Sequence, residues 1–157
     1  MVTKNLSEIV DGIIDIIKLP DNRAALGLTD RYTPGSVNEY GVFFGEELGS
    51  ISHLPIIMVQ GERVEYDLYQ TGFKTENRFN IGIAICHANI AQASSTVRKD
   101  SLQKAEALRD ILNADLKVGN RVIYGYVNRI EVGYMATQDG MIFSHQLSWV
   151  GMNTLRI

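Results

Sequence analysis

The apolar residues near the start of the chain recur at the spacing of an amphipathic helix. Six of them follow the i, i+3, i+4, i+7 pattern and would share one helix face: Leu6, Ile9, Val10, Ile13, Ile14 and Ile17. Asn5 and Glu8 stand at the separation of a capping pair, so we expect the helix to begin at Asn5. Pro20 cannot continue a helix, and we expect the helix to stop before it.

A second amphipathic helix is predicted over residues 96–116, after a cap region at Ser94-Ser95-Thr96. Charged residues fill the positions between its apolar residues, which are Leu102, Ala105, Leu108, Ile111 and Leu112. Gly119 is suited to the left-handed conformation that commonly ends a helix. The apolar stripes of both helices are expected to form core.

Between the two helices the pattern changes to that of β-strands. Residues 55–59 form a continuous apolar run, and residues 64–69 alternate between apolar and polar. Gly61-Glu62 between them is predicted to form a turn. Residues 78–88 alternate strictly. Their bulky side chains fall on one face and their small ones on the other: Phe79, Ile81, Ile83 and Ile85 against Asn80, Gly82, Ala84 and Cys86. This division is typical of a central strand with a close neighbour on its small side.

Two long strands are predicted to end the chain, at 121–136 and 141–157. The pair Asp139-Gly140 between them is a strong hairpin signal. The predicted order is therefore one helix, a loop, three strands, a helix and two strands. Because tight turns join most of these strands, the sheet should be mainly antiparallel, and the fold class α+β.

Residues 21–53 show neither helical nor strand periodicity and are predicted to be a long loop. The segment is rich in glycine, yet it carries Tyr32, Tyr40, Phe43 and Phe44. A structureless loop of this length is uncommon in a compact domain, so we expect part of it, 40–44, to pair as a strand. Aromatic side chains in such a loop must be buried, either under the domain or against a neighbour. We interpret 27–53 as an assembly element rather than as part of the folding core.

The bulk composition fits one domain covering all 157 residues. The net charge is −3, and the fifteen Lys and Arg residues are dispersed among eighteen acids. Nothing resembles the basic run that binds a nucleic acid backbone, so nucleic-acid binding is disfavoured. Cys86 is the only cysteine, which excludes an internal disulfide. No apolar stretch reaches the length of a membrane span, and no membrane association is expected.

No short motif of catalysis, cofactor binding or metal binding is present, and we expect no enzyme activity and no cofactor. Cys86 and His87 are neighbours, but adjacent strand residues point to opposite faces, so a plain strand cysteine is favoured. His53 could act as an acid-base group with Glu46, Glu47 or Glu62, although a surface role in a loop is favoured.

The remaining candidates are an acid pair and a tryptophan. Glu65 and Asp67 would share one strand face and could hold a cation, but a solvated sheet face is favoured because no oxygen-rich loop surrounds them. Trp149 on the last strand is expected in the core or at an interface, and we include it among the predicted assembly contacts with the four aromatic residues of the loop.

The order of elements resembles the tail terminator, or tail completion, proteins of tailed bacteriophages. The resemblance covers residues 5–20 and 54–155. It is carried by the opening helix, the run Leu54 to Val59, the alternating strand Phe79 to Ile85, the helix Leu102 to Leu112, and the stretch Val127 to Gly133 with its following hairpin. Residues 21–53 depart from it, because they are longer than a simple link from helix to strand.

The resemblance implies a structural virion protein of the tail or neck, assembled in the host cytoplasm. Its copies would form a hexameric ring that stops growth of the tail tube. The ring would contact the tail tube protein, the connector of the neck and, in contractile tails, the last sheath ring. DNA would pass through the lumen without specific binding. Two alternatives stay open: another neck or baseplate component, or a small ligand-binding domain or enzyme that uses residues 40–53 as a lid.

Overall fold

A computed structural model of the chain describes residues 5–27, 41–44, 56–68, 74–89, 94–137 and 140–156. The helices are α1 (Leu6–Ile17), α2 (Pro20–Leu26) and α3 (Ser95–Ala114). The strands are β1 (Gly41–Phe44), β2 (Ile56–Leu68), β3 (Lys74–Asn89), β4 (Tyr124–Thr137) and β5 (Gly140–Arg156). The predicted α+β class is confirmed.

Helix α1 begins with the predicted capping box. The amide of Glu8 donates to Asn5 Oδ1 over 3.0 Å, and the amide of Asn5 donates to Glu8 Oε2 over 2.9 Å. These two bonds satisfy amides that would otherwise lack partners at the helix start. The predicted apolar stripe is buried over Ile9, Val10, Ile13 and Ile17.

The loop predicted over 21–53 is wrong at its start, where the structure has a helix that was not predicted. Pro20 does stop α1, but it also occupies the first turn of α2, where its fixed φ suits a helix. Gly27, with φ of 69°, ends α2 in the left-handed region. Seven residues are too few to display a helical period, so only these end signals could have revealed α2. Further along, residues 41–44 form β1, close to the predicted strand at 40–44; the rest of 21–53 lies outside the described residues.

The strands form one sheet in the order β1-β2-β3-β5-β4. β1 pairs with β2 in parallel, and all other neighbours are antiparallel, so the mainly antiparallel prediction is confirmed. β3 lies in the centre, as its sequence pattern predicted. The β4–β5 hairpin is also confirmed, because Thr137 and Gly140 are paired across the two intervening residues.

The turn predicted at Gly61-Glu62 is instead an irregularity within the single strand β2. The register with β3 shifts between Gly61 and Arg63, which is the signature of a β-bulge. An extra residue changes which side chains face the core, and a glycine next to a charged residue resembles a turn in sequence. The two predicted strands 55–59 and 64–69 are therefore two halves of one strand.

Helices α1 and α3 pack against the same face of the sheet and enclose the core. Phe79, Ile81, Ile83 and Ile85 of β3 all point into it and are at most 1% exposed. Ala105, Leu108 and Leu112 cover them from α3.

The α3 prediction needs two corrections. Leu102 is 40% exposed because it lies beyond the buried stripe. Gly119 is left-handed, but it follows the helix end at Asp115 by several residues.

Candidate interaction surfaces

The predicted assembly contacts fall into three groups. Tyr32 and Tyr40 lie outside the described residues. Phe43 and Phe44 belong to β1, where their backbones pair with Met58 and Val59 at the edge of the sheet. That pairing makes part of the 27–53 segment a strand of the subunit itself, while an assembly role for the segment stays a prediction.

Trp149 lies in the core, and none of its surface is exposed. It pairs in register with Ile81 on one side and Val127 on the other, both buried on the helix-covered face. The sequence analysis expected Trp149 either in the core or at an interface, and the structure places it in the core. A completely buried ring cannot contact a neighbouring subunit without unfolding its surroundings, so Trp149 is removed from the assembly contacts.

The residues considered for catalysis are not brought together in the described part of the chain. His53, Glu46 and Glu47 lie outside it. Cys86 is buried, with no exposed surface. Glu65 is exposed and forms an ion pair with Arg63, with 3.2 Å between Arg63 Nε and Glu65 Oε1. Within the described residues, no group of three His, Cys, Asp or Glu side chains could hold a metal ion.

The sequence analysis missed a buried contact between a serine and a histidine. Ser101 of α3 and His145 of β5 are 0% and 4% exposed, with 2.8 Å between Ser101 Oγ and His145 Nδ1. Burial lowers the pKa of His145, and the charge of Glu106 opposes this shift. Because neither side chain is accessible, the pair ties α3 to the sheet and cannot reach a substrate. The two residues stand far apart in sequence, and only the fold joins them.

The first exposed apolar surface lies at the tip of the β4–β5 hairpin, on the side that carries the helices. Val132, Tyr134 and Met141 form it, and they are 52%, 49% and 39% exposed. Tyr134 contacts the buried ring of Phe143 edge to face, with 6.0 Å between ring centroids. The exposed Arg98 of α3 lies over the same Phe143 ring, 5.1 Å from its centroid. We call Val132, Tyr134 and Met141 the hairpin patch.

The second exposed surface is a groove across the opposite face of the sheet, against which none of the described helices packs. Two register rows cross it, one through Tyr126 and Val150 and the other through Tyr124 and Met152. Its volume is about 330 Å³. Its lining also includes Arg63, Glu65, Glu76 and Arg78 from β2 and β3. We call this surface the sheet groove.

Charges on the groove face are neutralised along the strands. Arg63 pairs with Glu65 at 3.2 Å and Arg78 pairs with Glu76 at 2.9 Å, each two residues apart and therefore on one strand face. Further along the same face, Arg129 pairs with Glu131 at 3.4 Å. The Arg129–Glu131 pair borders a smaller cavity of about 170 Å³ over Gly82. The face thus combines tyrosines with closed ion pairs.

None of the described helices is both long enough and apolar enough to span a membrane. No protein-family model matches the chain, and no curated protein matches it either. Among solved structures, one similar chain belongs to a particle described as "Virion of native gene transfer agent (GTA) particle". The two chains are 17% identical, the alignment covers 91% of this chain and 92% of that one, and the TM-score is 0.49. At this degree of similarity the description applies to that particle only, and nothing about the function of this chain follows from it.

Proposed function

We propose that the chain is a structural protein of a tailed-phage virion, whose copies form a ring that ends the tail tube and joins it to the neck connector. This proposal rests on the order of helices and strands by which the chain resembles the tail terminator proteins. The fold has the same order: α1, the antiparallel pair β2–β3, α3 and the β4–β5 hairpin. A hexameric ring is the assembly that the resemblance implies.

The exposed surfaces support a role in binding other proteins. Tyrosine is enriched at the centres of protein interfaces, and tyrosines stand in both the hairpin patch and the sheet groove. The ion pairs beside the groove leave their arginines engaged with carboxylates of the same chain, which disfavours tight binding of phosphates. Weak binding of phosphates is what we expect if DNA passes through the ring without specific binding. We propose that the chain acts by assembly and not by catalysis.

The test is the size and symmetry of the purified protein, measured with and without tail tube protein. Light scattering and electron microscopy should find a ring, either of the protein alone or seated at the end of tail tubes. Tubes polymerised in its presence should be shorter, because a seated ring blocks further addition. A protein that stays monomeric and leaves tube length unchanged would contradict the proposal. A ring that binds a baseplate component instead of tube ends would favour the other structural alternative.

A further inference from the structure

Strand β4 lies at one side of the sheet, and the first part of its outer edge is covered by the chain itself. None of the described strands pairs with that edge. The amide of Gly125 donates to the carbonyl of Leu116 over 2.7 Å, and the amide of Val127 donates to Asn113 Oδ1 over 2.8 Å. The end of α3 and the turn after it thus satisfy two outward amides near the start of β4.

The second part of the same edge has no such cover among the described residues. It begins where the register of β4 with β5 shifts, between Val127 and Arg129. From Arg129 to Thr137 it runs for nine residues, which is roughly 30 Å at the usual rise of a β-strand. Soluble proteins commonly protect an edge strand with proline or lysine, because its unpaired N–H and C=O groups can pair with another chain. These nine residues contain neither. We call this stretch the open edge of β4.

Exposed apolar side chains line the open edge on the side that carries the helices. Val132 and Tyr134 are 52% and 49% exposed. Leu102 of α3 is 40% exposed. It lies about three helical turns before Asn113, and therefore on the flank of α3 that reaches β4. A strand added along the open edge would place every second side chain on this apolar side. The surface thus suits a segment in which apolar and polar residues alternate.

We propose that the open edge of β4 binds an extended segment of another protein of the virion, which adds a strand to the sheet. An edge strand selects an extended backbone, because the main chains of two strands exchange hydrogen bonds group for group. A helix satisfies its backbone groups internally and cannot pair in this way.

The geometry of the sheet disfavours a second copy of the chain as the occupant. Its other outer strand, β1, has four residues and would cover less than half of the open edge. A second copy that offered β4 itself would form a two-fold pair, which closes on itself and does not continue around a ring. The choice of another protein therefore rests on the proposed function, in which the ring contacts the tail tube and the neck connector.

Hydrogen exchange tests the strand pairing directly. The wild-type protein is measured alone and with purified tail tube protein or neck connector protein. In the complex that forms, amides of the open edge should exchange about 10-fold or more slowly, because an added strand would engage every second one of them. Residues 63–68 of β2 provide the comparison within the same chain and should keep their exchange rates. Unchanged exchange over residues 129–137 in a complex that does form would overturn the inference.

A substitution at Val132 tests the same contact through binding. Val132→Lys places a charge on the apolar side of the open edge, and lysine is a residue that blocks strand addition in natural edge strands. Partner binding should weaken about 10-fold or more, because the added strand would bury the ammonium group. Val132→Thr keeps the branched shape without a charge and should retain most of the binding. Leu19→Lys makes the same kind of change at an exposed apolar residue beside α2 and should have no effect.

The outcomes separate this inference from the proposed function. A wild-type protein that binds neither tail tube protein nor neck connector protein would overturn both. Binding that Val132→Lys leaves intact would overturn the inference alone. If Val132→Lys breaks up the ring itself, a second copy occupies the edge, and the inference is again wrong. Slower exchange along the open edge, together with loss of partner binding in Val132→Lys but not in Leu19→Lys, would support it.

Discussion

The indole ring of Trp149 packs directly against the α-carbon of Gly125, where any side chain would overlap the ring. Gly151 lies opposite Gly125 in the register of β4 and β5. A Cβ atom at Gly151 would also overlap the Trp149 ring. The largest buried side chain of the protein therefore occupies room created by the absence of two Cβ atoms. This arrangement fixes the position of Trp149 beneath the helices and makes the two glycines part of the core.

We predict that Gly125→Ala destabilises the protein by about 1–3 kcal/mol, the usual cost of overpacking a core. The added methyl group would force the buried Trp149 ring to move, and its neighbours leave little room. Gly133→Ala in the same strand is the control. There the new methyl group meets the side chain of Gln146, which is flexible and partly exposed. Equal loss of stability in both variants, measured by urea unfolding, would contradict the role assigned to Gly125.

Leu108 provides a test of the core formed by α3. It has no exposed surface and belongs to the main hydrophobic cluster. Leu108→Ala should reduce the free energy of unfolding by about 2–5 kcal/mol, because it removes buried contacts and leaves a cavity. Leu102→Ala on the same helix is the matched comparison, since Leu102 is 40% exposed and should change stability far less. An unchanged thermal melt for Leu108→Ala would show that the stripe is not core.

How much of this fold the sequence predicts depends on whether the signal is local. The alternation of Phe79 to Ile85 and the stripe through Leu108 each extend over enough residues to reveal a period, and both elements were placed correctly. Helix α2 and the irregularity at Gly61 are too short for that. The contact between Ser101 and His145 has no local signal at all, because two separate elements must first pack together.

The same limit applies to the candidate surfaces. The chain pattern predicts that Val132 and Tyr134 share a strand face, but it does not show that α3 stops short of covering them. Likewise, the groove beside Tyr126 needs four strands in register before its lining exists. For Trp149, the sequence left core and interface open, and only the paired glycines beneath the ring explain why it is buried.

His145 should make the stability of the protein depend on pH. Burial lowers its pKa in the folded state below the ordinary value of 6.5, which applies to the unfolded chain. As pH falls through 6.5, the unfolded state takes up a proton before the folded state does, so the free energy of unfolding decreases. Above that pH both states carry a neutral ring, and His145 contributes no dependence.

The measurement is the free energy of unfolding between pH 7.5 and 5.5 for the wild-type protein and for His145→Gln. Both proteins contain the same carboxylates and the same other histidines, so the difference between their pH profiles isolates His145. The wild-type curve should fall more steeply towards acid pH. Parallel curves would show that the folded and unfolded states bind the proton equally well.

The last prediction concerns Phe43 and Phe44, which stand in the segment interpreted as an assembly element. Their backbones form the edge strand β1, and four register pairs join it to β2. Serine keeps the backbone N–H and C=O groups, so the double substitution to Ser leaves that pairing chemically possible. If the aromatic rings serve assembly, the melting temperature of an isolated subunit should remain nearly unchanged, whereas ring formation or tube capping should weaken. Aromatic side chains bury large areas, and their loss from an interface is correspondingly costly.

The competing interpretation places both rings in the core of their own subunit. In that case the double variant should lose several kcal/mol of stability, as large-to-small core substitutions do. Thermal melts at a concentration that keeps the subunits apart distinguish the two, with Leu108→Ala as the reference for a true core residue. A variant that unfolds as readily as Leu108→Ala would refute the assembly role. A variant that folds and caps tubes like the wild type would show that neither ring is needed for function.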